Sequence, residues 1–368
     1  MNKAIKYRLY PTKEQEEMFA KTFGCCRKIW NLMLADKIDY YKTTKEMLQT
    51  TPAKYKKMDG YKYFKEVDSL ALANVQLHLQ TAYKNFFRDK KIGFPKFKSA
   101  KHSRRTYTTN NQNGTVALTD KGIKLPKIGI VKAKIHRQPD MDWKIKSATV
   151  SQDSDGKFYA SILYEYEQTI NQVPMSDNVI GLDYKSDGLY ADSNGNVCGS
   201  PKYYRKSQKK LARLQRQLSR KKKDSNNCNK ARLKVARLQK HTANQRLDFL
   251  HKKSTEIANQ YDVVCVETLD MKNMSNKGFG NGKATLDNGY GLFLTMLEYK
   301  LSDRGKYFVK VDKWYPSSQL CYCCGRQHKE MKNLLARQFV CDCGYKNDRD
   351  INASLNIKKE GLRLLTTV

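Results

Sequence analysis

Three acidic residues stand at the ends of segments that are far apart in the sequence. Asp183 follows an apolar run at 179–182, Glu267 follows a second run at 263–266, and Asp350 lies near the carboxyl end of the chain. A carboxylate that loses its water at the end of a buried strand costs several kcal/mol unless cations or hydrogen bonds replace that hydration. Together the three acids could bind two Mg²⁺ ions about 3.5–4 Å apart, which suits phosphodiester hydrolysis.

Each of these acids also has an ordinary structural explanation. Asp183 could start the turn that follows its strand, and Glu267 could be a hydrogen-bonded carboxylate at a sheet edge. Asp350 could be the N-cap of a helix. The residues alone leave these alternatives open, and only the coexistence of all three acids favours a metal site.

Five of the ten cysteines fall between 321 and 343. Cys321 and Cys324 form a Cys-x2-Cys pair, and Cys341 and Cys343 form a Cys-x-Cys pair, each followed by glycine. Four thiolates in this pattern are typical of a zinc ribbon with one closed, structural Zn²⁺. Disulfides are the alternative, but the N-terminus has no signal-peptide core, which favours a metal. Cys323 is a spare thiol that could replace a neighbour.

The charge of the chain points to a polyanionic partner. Lysine and arginine number 70 against 36 acidic residues, which gives a formal net charge of +34. Nucleic acid is favoured, because basic side chains neutralise phosphates and release counterions. A membrane surface is disfavoured, because we find no basic amphipathic helix with bulky apolar anchors and no apolar run long enough to span a bilayer.

Basic residues are concentrated at 202–240, where Asp224 is the only acid. The stretch reads as a helical hairpin broken near Asp224, and it is either a solvated helix face or, as we expect, a phosphate-binding surface. Basic and aromatic residues also alternate at 94–98 and 104–107, which suits base stacking with phosphate binding. The candidate nucleic-acid-binding residues are Lys209, Lys210, Arg213, Arg216, Arg220, Arg104, Arg105, Lys96 and Lys98.

Periodicity predicts three kinds of structure along the chain. We expect a first strand at 3–10, helices over 12–90 with a capping box at Thr12 and Gln15, short strands over 104–167 that form a small barrel, a linker at 168–178, and then an α/β region. In that region we expect a strand at 179–183, a returning strand at 189–192, helices over 201–260, a strand at 261–267 and a mobile loop at 275–289.

The order of the motifs resembles the TnpB family, transposon-encoded proteins related to type V CRISPR effectors. The resemblance rests on Gly181-Leu182-Asp183, Val264-Cys265-Val266-Glu267-Thr268-Leu269, the two cysteine pairs, Asp348-Arg349-Asp350-x-Asn352-Ala353, and further segments at 23–31, 93–98, 248–252 and 317–319. Two departures stand out. Many relatives have a small or Gly-rich segment after the first acid, where this chain has Tyr184-Lys185-Ser186, and its second cysteine pair has one intervening residue rather than two.

The resemblance implies an α/β fold: an RNase H-like (RuvC) nuclease domain with a zinc-ribbon insert, a wedge-type β-barrel and a helical recognition domain. The implied bounds are 1–10 and 100–175 for the barrel, 11–99 for the helical domain, 176–315 and 347–368 for the nuclease domain, and 316–346 for the ribbon. The single active site would consist of Asp183, Glu267 and Asp350 with two catalytic Mg²⁺ ions, and one structural Zn²⁺ would sit on Cys321, Cys324, Cys341 and Cys343.

The same resemblance implies an RNA-guided DNA endonuclease that recognises a short motif beside its target and cleaves double-stranded DNA. Its guide RNA would derive from the transposon end, the protein would be a cytoplasmic monomer within the ribonucleoprotein, and no membrane would be involved. Two alternatives remain open: a guide-dependent repressor that binds without cleaving, and an unguided nuclease or transposase that acts without RNA.

Overall fold

The chain divides into two compact units, Met1–Gln168 and Thr169–Val368. They are described here from a computed structural model, which covers residues 1–276, 278, 281–333 and 336–367. Among the helices in those ranges, none combines the length and apolar character that crossing a bilayer requires.

The first unit combines a helical segment with an antiparallel sheet. Its helices are α1 (Lys13–Thr44), α2 (Pro52–Lys56), a 3₁₀ helix (Asp59–Lys65), α3 (Ser69–Arg88) and a second 3₁₀ helix (Lys90–Ile92). Its strands are β1 (Asn2–Tyr10), β2 (Arg105–Asn110), β3 (Ala117–Thr119), β4 (Gly122–Leu125), β5 (Gly129–Lys134), β6 (Lys144–Gln152) and β7 (Phe158–Glu165).

The first strand lies inside the sheet of this unit, although it is remote in sequence from its neighbours. The strand order is β2-β6-β7-β1-β5-β4-β3, so β1 pairs with β7 on one side and β5 on the other. Ile5, Tyr7 and Leu9 are buried, as the alternation in the sequence predicts. Thr12 and Gln15 form the predicted capping box at the start of α1.

The second unit is an α/β domain with a small two-stranded insert. Its strands are β8 (Val179–Tyr184), β9 (Gly188–Asp192), β10 (Val197–Gly199), β11 (Val263–Glu267), β12 (Tyr307–Val311), β13 (Gln338–Val340) and β14 (Lys346–Asp348). Its helices are α4 (Tyr203–Ser219), α5 (Asn226–Gln260), α6 (Met271–Met274), α7 (Gly282–Asn288), α8 (Tyr290–Ser302), a 3₁₀ helix (Lys329–Lys332) and α9 (Arg349–Thr366).

The main sheet of the second unit has the order β10-β9-β8-β11-β12. Strands β8, β11 and β12 are parallel, and β9 and β10 continue from β8 as an antiparallel hairpin and extension. Helix α9 covers one face through Ile357, and α5 and α8 cover the other through residues such as Leu250 and Phe293. The predicted α/β class is therefore confirmed, with a mixed sheet between layers of helices.

The helical hairpin predicted at 202–240 is confirmed by the pair α4 and α5, which pack on each other through Leu211, Val235 and Ala236. The prediction of a mobile loop at 275–289 is wrong at its end, because 282–288 form α7. Residues 277, 279 and 280 of that predicted loop lie outside the described residues. Residues 169–175, predicted to join the barrel, belong to the second unit, where the Val173 N–H donates to the Gly305 carbonyl.

Candidate active site and metal centre

Asp183 and Glu267 are brought together by the parallel pairing of β8 and β11. Leu182 is in register with Val266, so Asp183 and Glu267 are the next residues on the two adjacent strands. Neighbouring strands lie about 4.8 Å apart, and the carboxyl ends of parallel strands share one edge of the sheet. The two acids predicted from remote segments are therefore neighbours at this edge.

Asp350 reaches the same edge from the first turn of α9. The N-cap of that helix is Asp348, whose carboxylate accepts hydrogen bonds from the backbone N–H groups of Asp350 and Ile351. The alternative that Asp350 is the cap is therefore wrong. Because Asp348 satisfies the helix terminus, the Asp350 carboxylate is available to the other two acids.

The three carboxylates interact electrostatically. Loss of hydration raises the pKa of Asp183 well above its usual range, and the charges of Glu267 and Asp350 raise it further, against the opposing effects of Arg349 and Lys185. Burial also raises the pKa of Glu267, to about 7. Perturbed acids in one cluster are characteristic of functional sites, because a fold does not gain stability by collecting negative charge.

Lys185 is the nearest cation to Asp350. Its ammonium group donates a hydrogen bond to Asp350 Oδ2, and its nitrogen also lies 3.8 Å from Asp187 Oδ1. Arg337 approaches the same Asp350 oxygen more distantly, at 4.0 Å. One close ammonium group offsets only part of the charge of three carboxylates.

Two tyrosines next to the acids have buried hydroxyl groups without hydrogen-bond partners among the described residues: Tyr184 and Tyr290. Their rings lie 4.8 Å apart, and Tyr290 is close enough for the charges of Asp183 and Glu267 to help raise its pKa. Hard carboxylate oxygens with excess negative charge and unsatisfied hydroxyls have the chemistry of a hydrated Mg²⁺ site. Among the described residues, however, only the four cysteines described below already lie close enough together to hold one ion directly.

The approach of α9 to the sheet depends on glycine at 181. A Cβ at this position would lie 2.1 Å from the Ser354 carbonyl oxygen. This oxygen belongs to the backbone of α9, so the clash cannot be relieved by a change of side-chain rotamer. Gly361 is a second close approach, where a Cβ would lie 2.3 Å from Cys265 Sγ. These contacts fix the distance between α9, which carries Asp350, and the strands that carry the other acids.

Gly181→Ala is therefore expected to displace α9, to destabilise the protein by about 1–3 kcal/mol and to reduce catalysis disproportionately. Gly199→Ala is the matched control, because it lies in the same sheet and no atom stands within 4 Å of its added Cβ. Thermal denaturation and cleavage rates of both variants test this prediction. Equal behaviour of the two variants would contradict it.

The four predicted zinc ligands form a second centre. The Sγ atoms of Cys321, Cys324, Cys341 and Cys343 all lie within 4.8 Å of one another, with 3.6 Å between Cys321 and Cys343 and between Cys324 and Cys341. The glycine after each pair has a positive φ, 75° at 325 and 86° at 344, which closes each knuckle. Cys323 is exposed and is not a member of the cluster. The four thiols can hold one metal ion in a closed site.

Buried asparagines attach the cysteine-rich insert to α9. Asn352 donates to the Leu320 carbonyl and accepts from the Tyr322 N–H, and Asn356 donates to the carbonyls of Ser317 and Leu320. Both side chains are almost fully buried. The cysteine-rich insert therefore packs against the same part of α9 that presents Asp350.

The predicted nucleic-acid-binding residues fall on two kinds of surface. Those on α4 and just after it are all exposed, and none has an ion pair with an acid in the part of the chain that the structure describes: Lys209, Lys210, Arg213, Arg216 and Arg220. Of those in the first unit, only Lys98 is partly buried. The Lys98 ammonium lies 3.6 Å from the Trp30 ring centre, whereas Lys96, Arg104 and Arg105 are exposed and the Arg105 guanidinium donates to Gln152.

Sequence reasoning missed several residues of these sites. Asn352 and Asn356 could have been found from the sequence, because they are two polar residues four positions apart on the apolar face of a predicted helix. The sequence signal for Lys185 is a basic residue two positions after the first of the three acids. Tyr290 has no local signal, because only the packing of α8 against β8 brings its hydroxyl to the acids.

Three segments of the chain match known protein families. Residues 161–278 match the OrfB_IS605 family, described as a probable transposase, and residues 290–357 match the Cas12f1-like TNB domain. Residues 1–46 match a domain described as helix-turn-helix, although the structure there is β1 followed by the single helix α1.

Two curated relatives cover nearly the whole chain. A Streptomyces pristinaespiralis protein named "Putative RNA-guided DNA endonuclease" is 34% identical over 98% of this chain and 90% of its own length. Escherichia coli InsQ, with the same description, is 33% identical over 98% of this chain and 93% of its own. A solved chain from a Cas12f1–sgRNA–target DNA complex has a TM-score of 0.60 at 12% identity, covering 97% of this chain and 98% of that one. The last likeness establishes the fold.

Proposed function

The chain belongs to the TnpB family, and from that membership we propose that it is an RNA-guided DNA endonuclease with one RuvC-like active site. The observation that carries the proposal is the convergence of Asp183, Glu267 and Asp350 at one edge of the sheet, in a chain with a net charge of +34. Clustered acids and a strongly basic chain together support an enzyme that hydrolyses phosphodiester bonds in nucleic acid.

The three acids would hold two Mg²⁺ ions, which when bound supply an activated water and stabilise the leaving oxygen. The chain's own residues would position the ions and supply the negative charge that attracts them. Asp183 and Glu267 are fixed by strand register, and Asp350 is fixed by the Asp348 cap and the close packing at Gly181. Burial of the carboxylates removes competing water, so their attraction for a divalent cation is stronger than it would be at the surface.

The partners follow from the surfaces and from the family. The exposed basic face of α4 would bind the phosphates of a guide RNA derived from the transposon end, and guide pairing would select the double-stranded target DNA. A single Zn²⁺ on the four clustered cysteines would be structural. The division into barrel (1–10 and 100–175), helical domain (11–99), nuclease domain (176–315 and 347–368) and ribbon (316–346) belongs to the same proposal, with the barrel ending nearer 168.

The deciding experiment is to purify the protein from cells that carry the transposon end, sequence the RNA that copurifies, and assay cleavage of DNA complementary to that RNA in Mg²⁺. Cleavage that depends on complementarity is the expected result. Target binding without cleavage would indicate a repressor. Cleavage that persists with unchanged specificity after the RNA is removed would indicate an unguided nuclease or transposase.

The basic face of α4 gives a separate prediction. Replacing Lys209, Lys210, Arg213, Arg216 and Arg220 by glutamine should weaken RNA binding and reduce its salt dependence, because each lost phosphate contact lowers the slope of log K against log salt by about 0.7. Filter binding at several salt concentrations measures both effects. Lys310→Gln, which removes a surface lysine paired with Glu298, is the control and should leave the slope unchanged. An unchanged slope in the fivefold variant would exclude this face as a contact.

A further inference from the structure

We propose that Lys185 is a positioning residue that holds Asp350 in the metal-free protein and is displaced when a divalent ion binds. The inference rests on the proposed function, because it assumes that the acids bind metal. Its consequence is that the Lys185 side chain sets how much divalent metal the site requires.

The contact between Lys185 and Asp350 is largely enclosed. The ammonium group donates to Asp350 Oδ2, and the two side chains are only 18% and 15% exposed. An enclosed ion pair is screened less by salt and water than a surface pair, so it holds its geometry more firmly. In the absence of metal, this pair offsets the repulsion between Asp350 and Asp183.

The backbone around Lys185 is also held in place. The Lys185 carbonyl accepts from the Gly188 N–H in the turn between β8 and β9, and the buried Asn288 donates to the Ser186 carbonyl at 2.8 Å. The main chain at Lys185 is therefore held in its turn by hydrogen bonds. Its ammonium group can change partners by rotating the side chain, without any movement of the main chain.

A divalent ion and the Lys185 ammonium group compete for the same carboxylate. Two cations on one carboxylate repel each other where water is scarce, so a divalent ion on Asp350 would weaken the hold of that carboxylate on the ammonium group and favour its release. A second acceptor is nearby: Asp187 Oδ1 is 3.8 Å from the Lys185 nitrogen, and its side chain is 65% exposed. The ammonium group would therefore move only a short distance from Asp350 to Asp187, and no third acid is involved.

Only the molecules in which Asp350 is free can bind metal at that carboxylate. The apparent metal affinity is therefore the intrinsic affinity multiplied by the fraction of such molecules. Lys185→Met removes the competing charge and preserves most of the side-chain volume. If the ammonium group occupies Asp350 in about nine molecules of ten, the variant should bind Mn²⁺ about tenfold more tightly than the parent protein. Isothermal titration of the purified protein with Mn²⁺, and electron paramagnetic resonance of the free ion, measure this directly.

Two controls make the titration specific. Lys310→Met removes a lysine–glutamate pair elsewhere in the same unit and should leave Mn²⁺ affinity unchanged. In an Asp350→Asn background, Lys185→Met should no longer raise the affinity, because the contested carboxylate is gone. Unchanged or weaker Mn²⁺ binding by Lys185→Met in the parent background would overturn the proposal.

A second measurement needs no variant. Acetylation of lysines in the metal-free protein, quantified by peptide mass spectrometry, should show slow reaction at Lys185 and faster reaction after Mn²⁺ is added. Lys306, which pairs with Asp262 at the opposite end of β11, is the internal reference and should not change. Equal Lys185 reactivity with and without saturating Mn²⁺ would also overturn the proposal.

The same titrations separate this inference from the proposed function. If Asp183→Asn and Glu267→Gln weaken Mn²⁺ binding but Lys185→Met does not strengthen it, the metal site stands and the role of Lys185 is refuted. If none of the acid variants changes Mn²⁺ binding, the proposed active site itself fails, and the role of Lys185 fails with it.

Discussion

Asp183→Asn is expected to abolish guided cleavage and at the same time to stabilise the metal-free protein. Asparagine has nearly the volume of aspartate but cannot supply the negative charge that a divalent ion requires. Losing several kcal/mol of charge stabilisation corresponds to a rate at least about 10³-fold lower. RNA binding should remain close to normal, because Asp183 lies at the sheet edge and not on the basic helices.

The gain in stability has the same origin as the loss of activity. The raised pKa of Asp183 means that its ionised form is disfavoured in the folded state, beside Glu267 and Asp350. A neutral amide removes that cost, and stabilisation of about 1–2 kcal/mol is typical when a functional site is relieved of such strain. Differential scanning calorimetry without divalent metal should therefore show a higher melting temperature.

Asp262→Asn provides the matched control, because Asp262 precedes β11 at the end opposite Glu267. Its carboxylate pairs with Lys306 and accepts from Ser176, and these contacts lower its pKa. The same substitution there should reduce stability slightly and leave cleavage unchanged. Cleavage by Asp183→Asn at the parent rate would refute the active site. A lowered melting temperature would refute the claim that ionised Asp183 destabilises the folded, metal-free protein.

Removing a ligand of the cysteine cluster is expected to unfold the insert and to inactivate the nuclease as well. Cys321→Ser should reduce bound zinc from about one ion to none, and loss of a structural metal is among the few single changes that cost more than about 4 kcal/mol. The Asn352 and Asn356 hydrogen bonds join the insert to α9, so its unfolding should also loosen the turn that carries Asp350.

Metal analysis measures the loss of zinc, hydrogen exchange measures the unfolding of the insert, and cleavage assays measure the inactivation. Exchange should rise over 316–348 and at the start of α9, and cleavage should fall more than RNA binding does. Cys323→Ser is the control within the same knuckle, because Cys323 is exposed and outside the cluster. Purified parent protein without zinc would contradict the structural role, and an equal effect of Cys323→Ser would show that the ligands were misassigned.

Much of the local structure was predictable because it depends on short-range chemistry. The capping box at Thr12 and Gln15 and the break between α4 and α5 each follow from residues a few positions apart. The loop predicted at 275–289 was wrong where α7 forms. There the buried carboxylate of Asp287 accepts from the backbone N–H groups of Tyr204 and Arg205, a tertiary contact that local composition does not encode.

The amino-acid sequence by itself determined which residue types are available for chemistry: the three acids that end elements, the cysteine pairs with their glycines, and the basic stretch. Only the tertiary structure decided how they are used. It assigned the helix cap to Asp348 and left Asp350 for the site, and it placed Lys185 against Asp350 and Tyr290 beside Asp183. The physical reason is that strand register and the close packing of α9 at Gly181 act across more than 80 residues of chain, beyond the range of any local pattern.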